Sequence, residues 1–146
     1  MMIRRATIED IPQLAQLFDQ YRVFYRKESD IEGAEEFLKE RMTKNESIIF
    51  VYEEKTRLVG FSQLYPQFSS TRMKRTWLLN DLFVTPDFRG KGLSRKLLDA
   101  AKDLSRNTNA AGVLLETEKT NKVGNKLYPS AGFNIYNATN FYWWEE

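Results

Sequence analysis

The sequence predicts a mixed α+β fold, in which one mostly antiparallel sheet is flanked by helices. Segments of β-type and of helical periodicity follow each other in the order β-α-α-β-β-β-α-β-α-β-β. Segments 47–53 and 58–65 flank the polar turn 54–57, which predicts an antiparallel hairpin. Segment 79–98 passes from an apolar strand through a glycine-rich turn into a helix. We therefore expect about seven strands and about four helices, in a single domain over residues 1–146.

The first half of the chain begins with a short strand at 2–6, followed by two helices. Thr7 and Asp10 have the spacing of a helix-start box. The first helix then carries apolar side chains at helical spacing, namely Ile11, Leu14, Leu17, Phe18, Tyr21, Phe24 and Tyr25. Ser29 or Asp30 can cap the second helix. One face of each helix should therefore be buried against the sheet.

The second half of the chain follows the same rules of periodicity and turn chemistry. The predicted elements are a loop at 66–74, a central strand at 75–84, a helix at 91–106, a strand at 113–118, a helix at 121–131, and two closing strands at 133–136 and 139–144.

Composition excludes several kinds of chemistry. The chain has no cysteine and no histidine, so it has no disulfides and no thiolate zinc site, and we expect no metal. Any proton transfer must use a carboxylate, a tyrosine, a lysine or water. The net charge of +2 does not favour nucleic-acid binding. No apolar run suits a membrane span or a signal peptide, which predicts a cytoplasmic protein.

The turn between the central strand and its helix is a candidate anion site. It reads Arg89-Gly90-Lys91-Gly92-Leu93-Ser94, and the helix begins beside it. A helix start offers free backbone N–H groups, and small residues let an anion such as pyrophosphate approach the backbone closely. The sequence lacks the closing Gly-Lys-Ser/Thr of a nucleotide-hydrolase phosphate loop. A tight strand-to-helix turn is the simpler alternative.

The wider pattern around this turn resembles a known cofactor signature. Arg89-x-x-Gly92-x-Ser94, after a strand ending in Phe83-Val84, resembles the coenzyme A pyrophosphate signature Gln/Arg-x-x-Gly-x-Gly/Ala of the GNAT superfamily of N-acetyltransferases. Ser94 departs from the last position of the signature, but serine is small and its hydroxyl can donate a hydrogen bond.

A second motif resembles the downstream motif of the same superfamily, Asn-x-x-Ala-x-x-Leu-Tyr followed by Gly-Phe. Here it reads Asn121-x-x-Gly124-x-x-Leu127-Tyr128, and then Gly132-Phe133. Gly124 replaces the alanine, and a proline follows the tyrosine. The two motifs stand in the family's order, and with the start at Thr7 the resemblance covers essentially the whole chain.

The resemblance implies acetyl-CoA lying between a splayed fourth and fifth strand. The residues it implies for binding are Leu82, Phe83 and Val84 along the pantetheine arm, Arg89, Gly90, Lys91, Gly92, Leu93, Ser94 and Arg95 around the pyrophosphate, and Asn121, Asn125 and Tyr128 from the second motif. Asn121 is equally good as a helix cap. The Tyr128 phenol, with an ordinary pKa of about 10, could protonate the leaving thiolate; a core tyrosine is the alternative.

The proton acceptor for the amine is left open by the sequence. Asp81, Glu116 and Glu118 are the acidic residues of the two strands, and a water relay would also suffice. Carboxylates near the cleft favour a cationic acceptor such as a polyamine or a lysine side chain. The segment 81–84 and the aromatic tail 141–144 look most like the histone and polyamine acetyltransferase-like (Hpa-like) branch.

Two further expectations concern function and assembly. The resemblance implies a direct transfer of the acetyl group to a primary amine, and the alternative is a CoA-binding regulatory module without catalysis. A nucleic-acid or interaction domain that uses the basic clusters is a third reading. The aromatic tail favours a homodimer, because an unpaired aromatic edge strand is a liability that dimerisation can cover.

Overall fold

A computed structural model describes residues 2–146 of the chain, and these form two compact units. The first unit extends to Glu116, and the second comprises Thr117–Glu146. Each unit is described by itself below. The single domain over residues 1–146 stays a prediction.

The first unit contains a five-stranded sheet in the order β1-β2-β3-β4-β5. Its strands are β1 (Met2–Arg5), β2 (Ile48–Glu54), β3 (Arg57–Ser69), β4 (Lys74–Val84) and β5 (Val113–Leu115). All neighbours are antiparallel except β4 and β5, which are parallel. The predicted fold class, a mostly antiparallel α+β fold, is therefore confirmed.

Residues 2–146 contain four helices, as predicted. They are α1 (Ile11–Phe24, after a 3-10 turn at Ile8–Asp10), α2 (Ile31–Thr43) and α3 (Leu93–Asn107) in the first unit, and α4 (Lys122–Ser130) in the second. Asp30 caps α2, since its carboxylate accepts a hydrogen bond from the Gly33 N–H at 2.9 Å. Asp10 accepts one from the Thr7 N–H at 2.7 Å, which fixes the start of the first helical segment.

The core lies on both faces of this sheet. On one face the apolar sides of α1 and α2 pack on β2, β3 and β4, with Leu14, Leu38, Val51 and Phe61 fully buried. On the other face Leu93 and Leu97 of α3 pack on Tyr52, Val59 and Val84. The helical spacing therefore identified the buried face of α1 correctly as far as Phe18. Phe24, which was placed on the same face, is 54% exposed because it lies in the last turn of the helix.

The loop predicted at 66–74 is shorter than expected, because β3 continues to Ser69. Pro66 pairs with Trp77 inside the sheet. Trp77 directs its N–H to the Gly112 carbonyl at 3.0 Å, so the opposing Pro66 turns its backbone away from β4. On that side the pairing with β2 has ended at Leu64, so the missing proline N–H costs no ladder hydrogen bond.

The sheet has five strands where about seven were expected, because 133–136 and 139–144 form no strand. Strand β5 is also shorter than the predicted 113–118. The tail residues are aromatic and β-branched, which favours a strand, but a strand exists only with a hydrogen-bonded neighbour. Within residues 2–146, nothing pairs with the tail.

Arg4 of β1 forms an ion pair with Asp10, which precedes α1. We expect this ion pair to make a contribution to stability that is lost in acid. The guanidinium of Arg4 lies 2.8 Å from Asp10 and 2.6 Å from Glu53. The hydrogen bond to Arg4 lowers the pKa of Asp10. The stabilisation is therefore present above the unfolded pKa of about 3.9 and lost as pH falls through the lower folded value.

We expect Asp10→Asn to lower the free energy of unfolding at pH 7 by about 1 kcal/mol. Urea denaturation should show the gap to the wild type closing as the pH is lowered below about 4. Glu36→Gln, which changes an exposed carboxylate of α2, serves as the control. A gap that persists at low pH would contradict this account of the pair.

Candidate active site

A β-bulge interrupts β4 in the middle of the sheet. Gln63 of β3 pairs with Asp81, whereas the next residue, Leu64, pairs with Leu79. Asn80 is therefore the extra residue on β4. It follows that the alternation of backbone groups between the two edges of β4 changes phase at Asn80.

Polar side chains hold this bulge from both sides. The Tyr21 hydroxyl of α1 donates to the Asn80 carbonyl at 3.2 Å. The Asp81 carboxylate accepts hydrogen bonds from the side chains of Gln63 at 2.7 Å and Asn80 at 2.9 Å. Asp81 is only 2% exposed. Burial raises the pKa of Asp81, and hydrogen bonds from Gln63, Asn80 and Tyr21 oppose that rise.

The bulge decides which backbone groups of β4 reach the open edge of the sheet. The Thr85 N–H bonds to the Val59 carbonyl of β3 at 2.9 Å. By strand alternation Phe83 also faces β3, so Leu82 and Val84 direct their N–H and C=O groups to the opposite edge. Pairing with β5 has already ended there, at Leu79 and Leu115, as the predicted splay requires.

The turn after β4 presents a row of free amides. Gly90 and Gly92 have φ of 74° and 78°, the left-handed conformation that favours glycine. Gly92 is the N-cap of α3. Within residues 2–146, the five successive N–H groups from Gly90 to Ser94 have no backbone acceptor. This confirms the strand–turn–helix order and leaves the helix start open to an anion.

Arg89 ties the turn to β4 through its side chain. Its Nε donates to the Val84 carbonyl at 3.0 Å. Its guanidinium lies over the rings of Phe24 and Phe83, at 5.7 and 5.5 Å from their centres. Lys91 and Arg95 are exposed beyond it. Arg89 therefore fixes the position of the turn, while Lys91 and Arg95 supply positive charge around it.

In the second unit, two asparagines organise the start of α4. Asn121 caps the helix, because its Oδ1 accepts from the Gly124 N–H at 3.0 Å, and its Nδ2 donates to Thr117 Oγ1 at 2.9 Å. Asn125 donates to the carbonyls of Glu118 at 2.9 Å and Asn121 at 2.8 Å. The predicted cap is thus confirmed, and both amides hold the loop that precedes α4.

Two residues of the second unit carry the groups suited to proton transfer. Tyr128 is half-buried on α4, with its ring edge-on to Phe133 at 6.4 Å between centres. Glu118 is exposed in the loop before α4. A phenol can donate a proton and a carboxylate can accept one, so the second unit carries both kinds of group.

Comparison with known proteins identifies the family to which this chain belongs. The model of the acetyltransferase (GNAT) family matches residues 14–133, which include both motifs. The chain belongs to the GNAT family of acetyltransferases. GNAT enzymes use acetyl-CoA as cosubstrate and acetylate amines, and this chain is accordingly an N-acetyltransferase. The Hpa-like branch stays a prediction.

Relatives of this GNAT protein match nearly its full length. It is 48% identical over 133 residues to an uncharacterized N-acetyltransferase of Bacillus subtilis (strain 168), YhfO, covering 91% of this chain and 89% of the relative. It is 32% identical to a probable acetyltransferase of Haemophilus influenzae, covering 92% and 91%. A crystal structure of a probable acetyltransferase superposes with a TM-score of 0.94, at 38% identity over 100% of this chain and 98% of that one.

Two side chains that shape the GNAT site, Gln63 and Thr117, were missed by the sequence analysis, and so was the contact made by the Tyr21 hydroxyl. Gln63 holds Asp81, the Tyr21 hydroxyl holds the bulge, and Thr117 holds Asn121. Gln63 follows Ser62 in the otherwise apolar stretch 58–65 of β3, and a long polar side chain inside such a stretch signals a buried polar partner. The other two contacts join residues far apart in sequence or placed on a loop, and no pattern predicts them.

Substitutions of Arg89 can distinguish its role in positioning the turn from the effect of its positive charge. We expect Arg89→Ala and Arg89→Lys to weaken CoA binding similarly, by about tenfold, because lysine keeps the charge but not the planar Nε contact to Val84. Lys91→Ala, in the same turn, is the matched control and should lose less. Isothermal titration with CoA measures all three. Full affinity in Arg89→Lys would show that only the charge matters.

Proposed function

We propose that this enzyme transfers the acetyl group of acetyl-CoA directly to a cationic primary amine, with both substrates bound at once. The observation that carries the proposal is the open backbone edge formed by Leu82 and the Val84 N–H, beside the Val84 carbonyl that Arg89 binds. The five free amides of the turn follow this edge. The edge suits the amide-bearing pantetheine arm, and the turn suits the pyrophosphate. Because Phe83 faces β3, it contributes its ring to the core and not its backbone to the ligand.

The absence of two residue types from the sequence supports direct transfer of the acetyl group. There is no cysteine to carry the acetyl group and no histidine to act as a base. In the proposed step the amine nitrogen bonds to the thioester carbonyl carbon and the carbon–sulfur bond breaks. The CoA thiolate gains one proton, and the attacking amine loses one.

Tyr128 and Glu118 are proposed to move these protons. Tyr128 matches the tyrosine of the family motif and would donate to the thiolate. Glu118 is exposed and would receive the amine proton directly or through water. Asp81, another of the three acidic candidates, is buried against Gln63 and Asn80. We therefore assign Asp81 to holding the bulge.

The acceptor is proposed to be a polyamine or a lysine side chain, in keeping with the Hpa-like resemblance. Carboxylates attract such cations and also raise the pKa of the amine, so binding opposes deprotonation. A homodimer and a cytoplasmic location are part of the same proposal. Among residues 2–146, no helix is both long and apolar enough to cross a membrane.

Thiol release from acetyl-CoA, measured against spermidine, lysine, basic peptides and amino sugars, tests the proposal. Tyr128→Phe removes only the phenolic proton and should lower kcat about 100-fold while CoA affinity stays within about twofold. Tyr136→Phe removes an exposed hydroxyl of the same unit and should be without effect. Turnover should be fastest with the polyamine or the lysine substrates.

Three results would revise this account. Unchanged turnover in Tyr128→Phe would remove Tyr128 from the mechanism. Preference for amino sugars would overturn the acceptor class. CoA binding without acetylation of any amine would favour the regulatory module.

A further inference from the structure

The hairpin of β3 and β4 extends beyond the strands that flank it. Pairing of β3 with β2 ends at Leu64, whereas its pairing with β4 continues to Ser69. On the other side, pairing of β4 with β5 begins only at Trp77. The end of this hairpin, residues 67–75, is called the hairpin tip below. It projects from the sheet at the end of β4 that is opposite to the proposed cofactor site.

The hairpin tip carries positive charge that the described structure leaves unpaired. Its cations are Arg72, Lys74 and Arg75. No acidic residue occurs between positions 58 and 80, and none of these cations forms an ion pair within residues 2–146. The guanidinium of Arg75 lies over the rings of Phe68 and Trp77, at 5.1 Å from each centre. Unlike the cations of the turn after β4, this cluster has no place in the proposed cofactor site.

The same tip exposes two large apolar side chains. Phe68 is 74% exposed and Met73 is 89% exposed. The Met73 N–H donates to the Ser70 carbonyl at 3.2 Å, which closes the turn, and the φ of Met73 is 51°. Glycine or asparagine adopts this left-handed conformation at lower cost, so the turn itself does not require a methionine. A strained and exposed apolar residue at the apex points to a role outside the fold.

We propose that the hairpin tip docks this protein on the surface of an anionic lipid bilayer. Anionic headgroups attract Lys and Arg side chains near the membrane surface. Large apolar side chains bury at the boundary between headgroups and acyl chains. Met73 and Phe68 therefore enter this boundary, while the three cations remain among the headgroups. The inference goes beyond acetyl transfer and does not depend on it.

The spacing of the hairpin fits the thickness of that boundary. Ser69 pairs with Lys74 next to the turn, and Phe68 pairs with Arg75 one residue further along. Strand residues rise about 3.4 Å each, so Phe68 lies roughly 7 Å from the turn. Apolar groups at a membrane interface are buried about 5 to 10 Å deep. The long stems of Lys74 and Arg75 allow their charges to reach the headgroups from this depth.

Two features favour a bilayer over other partners. A single-stranded nucleic acid requires free ring faces for stacking, but Phe68 already has the Arg75 guanidinium over its ring, and Met73 has no ring. An added β-strand requires a regular edge, whereas Pro66 interrupts the free edge of β3. A small apolar apex surrounded by cations suits a surface that is apolar just below its anionic layer.

The first test is cosedimentation of the full chain with vesicles. We expect binding to phosphatidylcholine vesicles that contain phosphatidylglycerol, and little binding to phosphatidylcholine alone. Binding should weaken as salt is raised. Arg72→Gln/Lys74→Gln should weaken it about 25-fold, because each cation is worth about a factor of five. Lys27→Gln/Lys39→Gln removes two exposed cations elsewhere and is the matched control, with less than about a threefold effect expected.

The second test concerns insertion of the apex. The chain has no cysteine, so Met73→Cys can carry a single environment-sensitive fluorophore. Its emission should shift to the blue with anionic vesicles, whereas the same fluorophore on Val123→Cys, at a position 80% exposed, should stay in water. Phe68→Ser/Met73→Ser should weaken vesicle binding at least about tenfold. Circular dichroism establishes that each variant keeps its fold.

Several results would overturn membrane docking by the tip. These are no binding to anionic vesicles, equal binding to neutral ones, or an equal loss in the Lys27→Gln/Lys39→Gln control. Binding that persists in both tip variants would assign the contact to another surface, such as the aromatic tail 141–144. A fluorophore at position 73 that stays in water on bound protein would overturn insertion. Oligonucleotide binding through the same cations without vesicle binding would assign the tip to nucleic acid. Acetyl transfer is measured separately, and its failure would leave this proposal standing.

Discussion

The bulge at Asn80 is the constraint on which the proposed cofactor site depends. Before the bulge, Trp77 and Leu79 direct their backbone groups to β5. After the bulge, Leu82 and Val84 face the same edge, at a point where β5 has ended. Without the extra residue, Asp81 and Phe83 would face that edge. The cost of burying Asp81 is offset only in part by hydrogen bonds with Gln63, Asn80 and Tyr21, which hold the bulge in place.

The polar side chains of the two motifs hold nearby backbone segments in position. In the proposed site, the backbone itself then contacts CoA. Arg89 binds the Val84 carbonyl, while Asn121 and Asn125 tie down the loop before α4. The two departures from the family motifs, Ser94 and Gly124, leave these contacts in place. Ser94 leaves its own amide free. At Gly124 a Cβ would lie 2.6 Å from Asn121 Nδ2 and 3.1 Å from Tyr128 Cε2, so glycine leaves those two side chains undisturbed.

Sequence periodicity predicted the four helices, the hairpin and the glycine turn, because each depends on local patterns of a few residues. The prediction of two strands at 133–136 and 139–144 was wrong, because a strand requires a hydrogen-bonded neighbour that no local pattern supplies. The open edge at Leu82 and Val84 followed from the family resemblance, but the reason for it did not. The bulge depends on Tyr21 and Gln63, which reach Asn80 and Asp81 from other elements. The roles of Tyr128 and Glu118 stay predictions.

Amide exchange measured residue by residue, with and without CoA, tests the central claim most directly. In the free protein, the Phe83 amide should exchange slowly because it faces β3, whereas those of Leu82, Val84 and Gly90 to Ser94 should exchange fast. CoA should slow the second group and leave Phe83 unchanged. Slow exchange of Leu82 and Val84 in the free protein, or no change in the turn when CoA binds, would contradict the account.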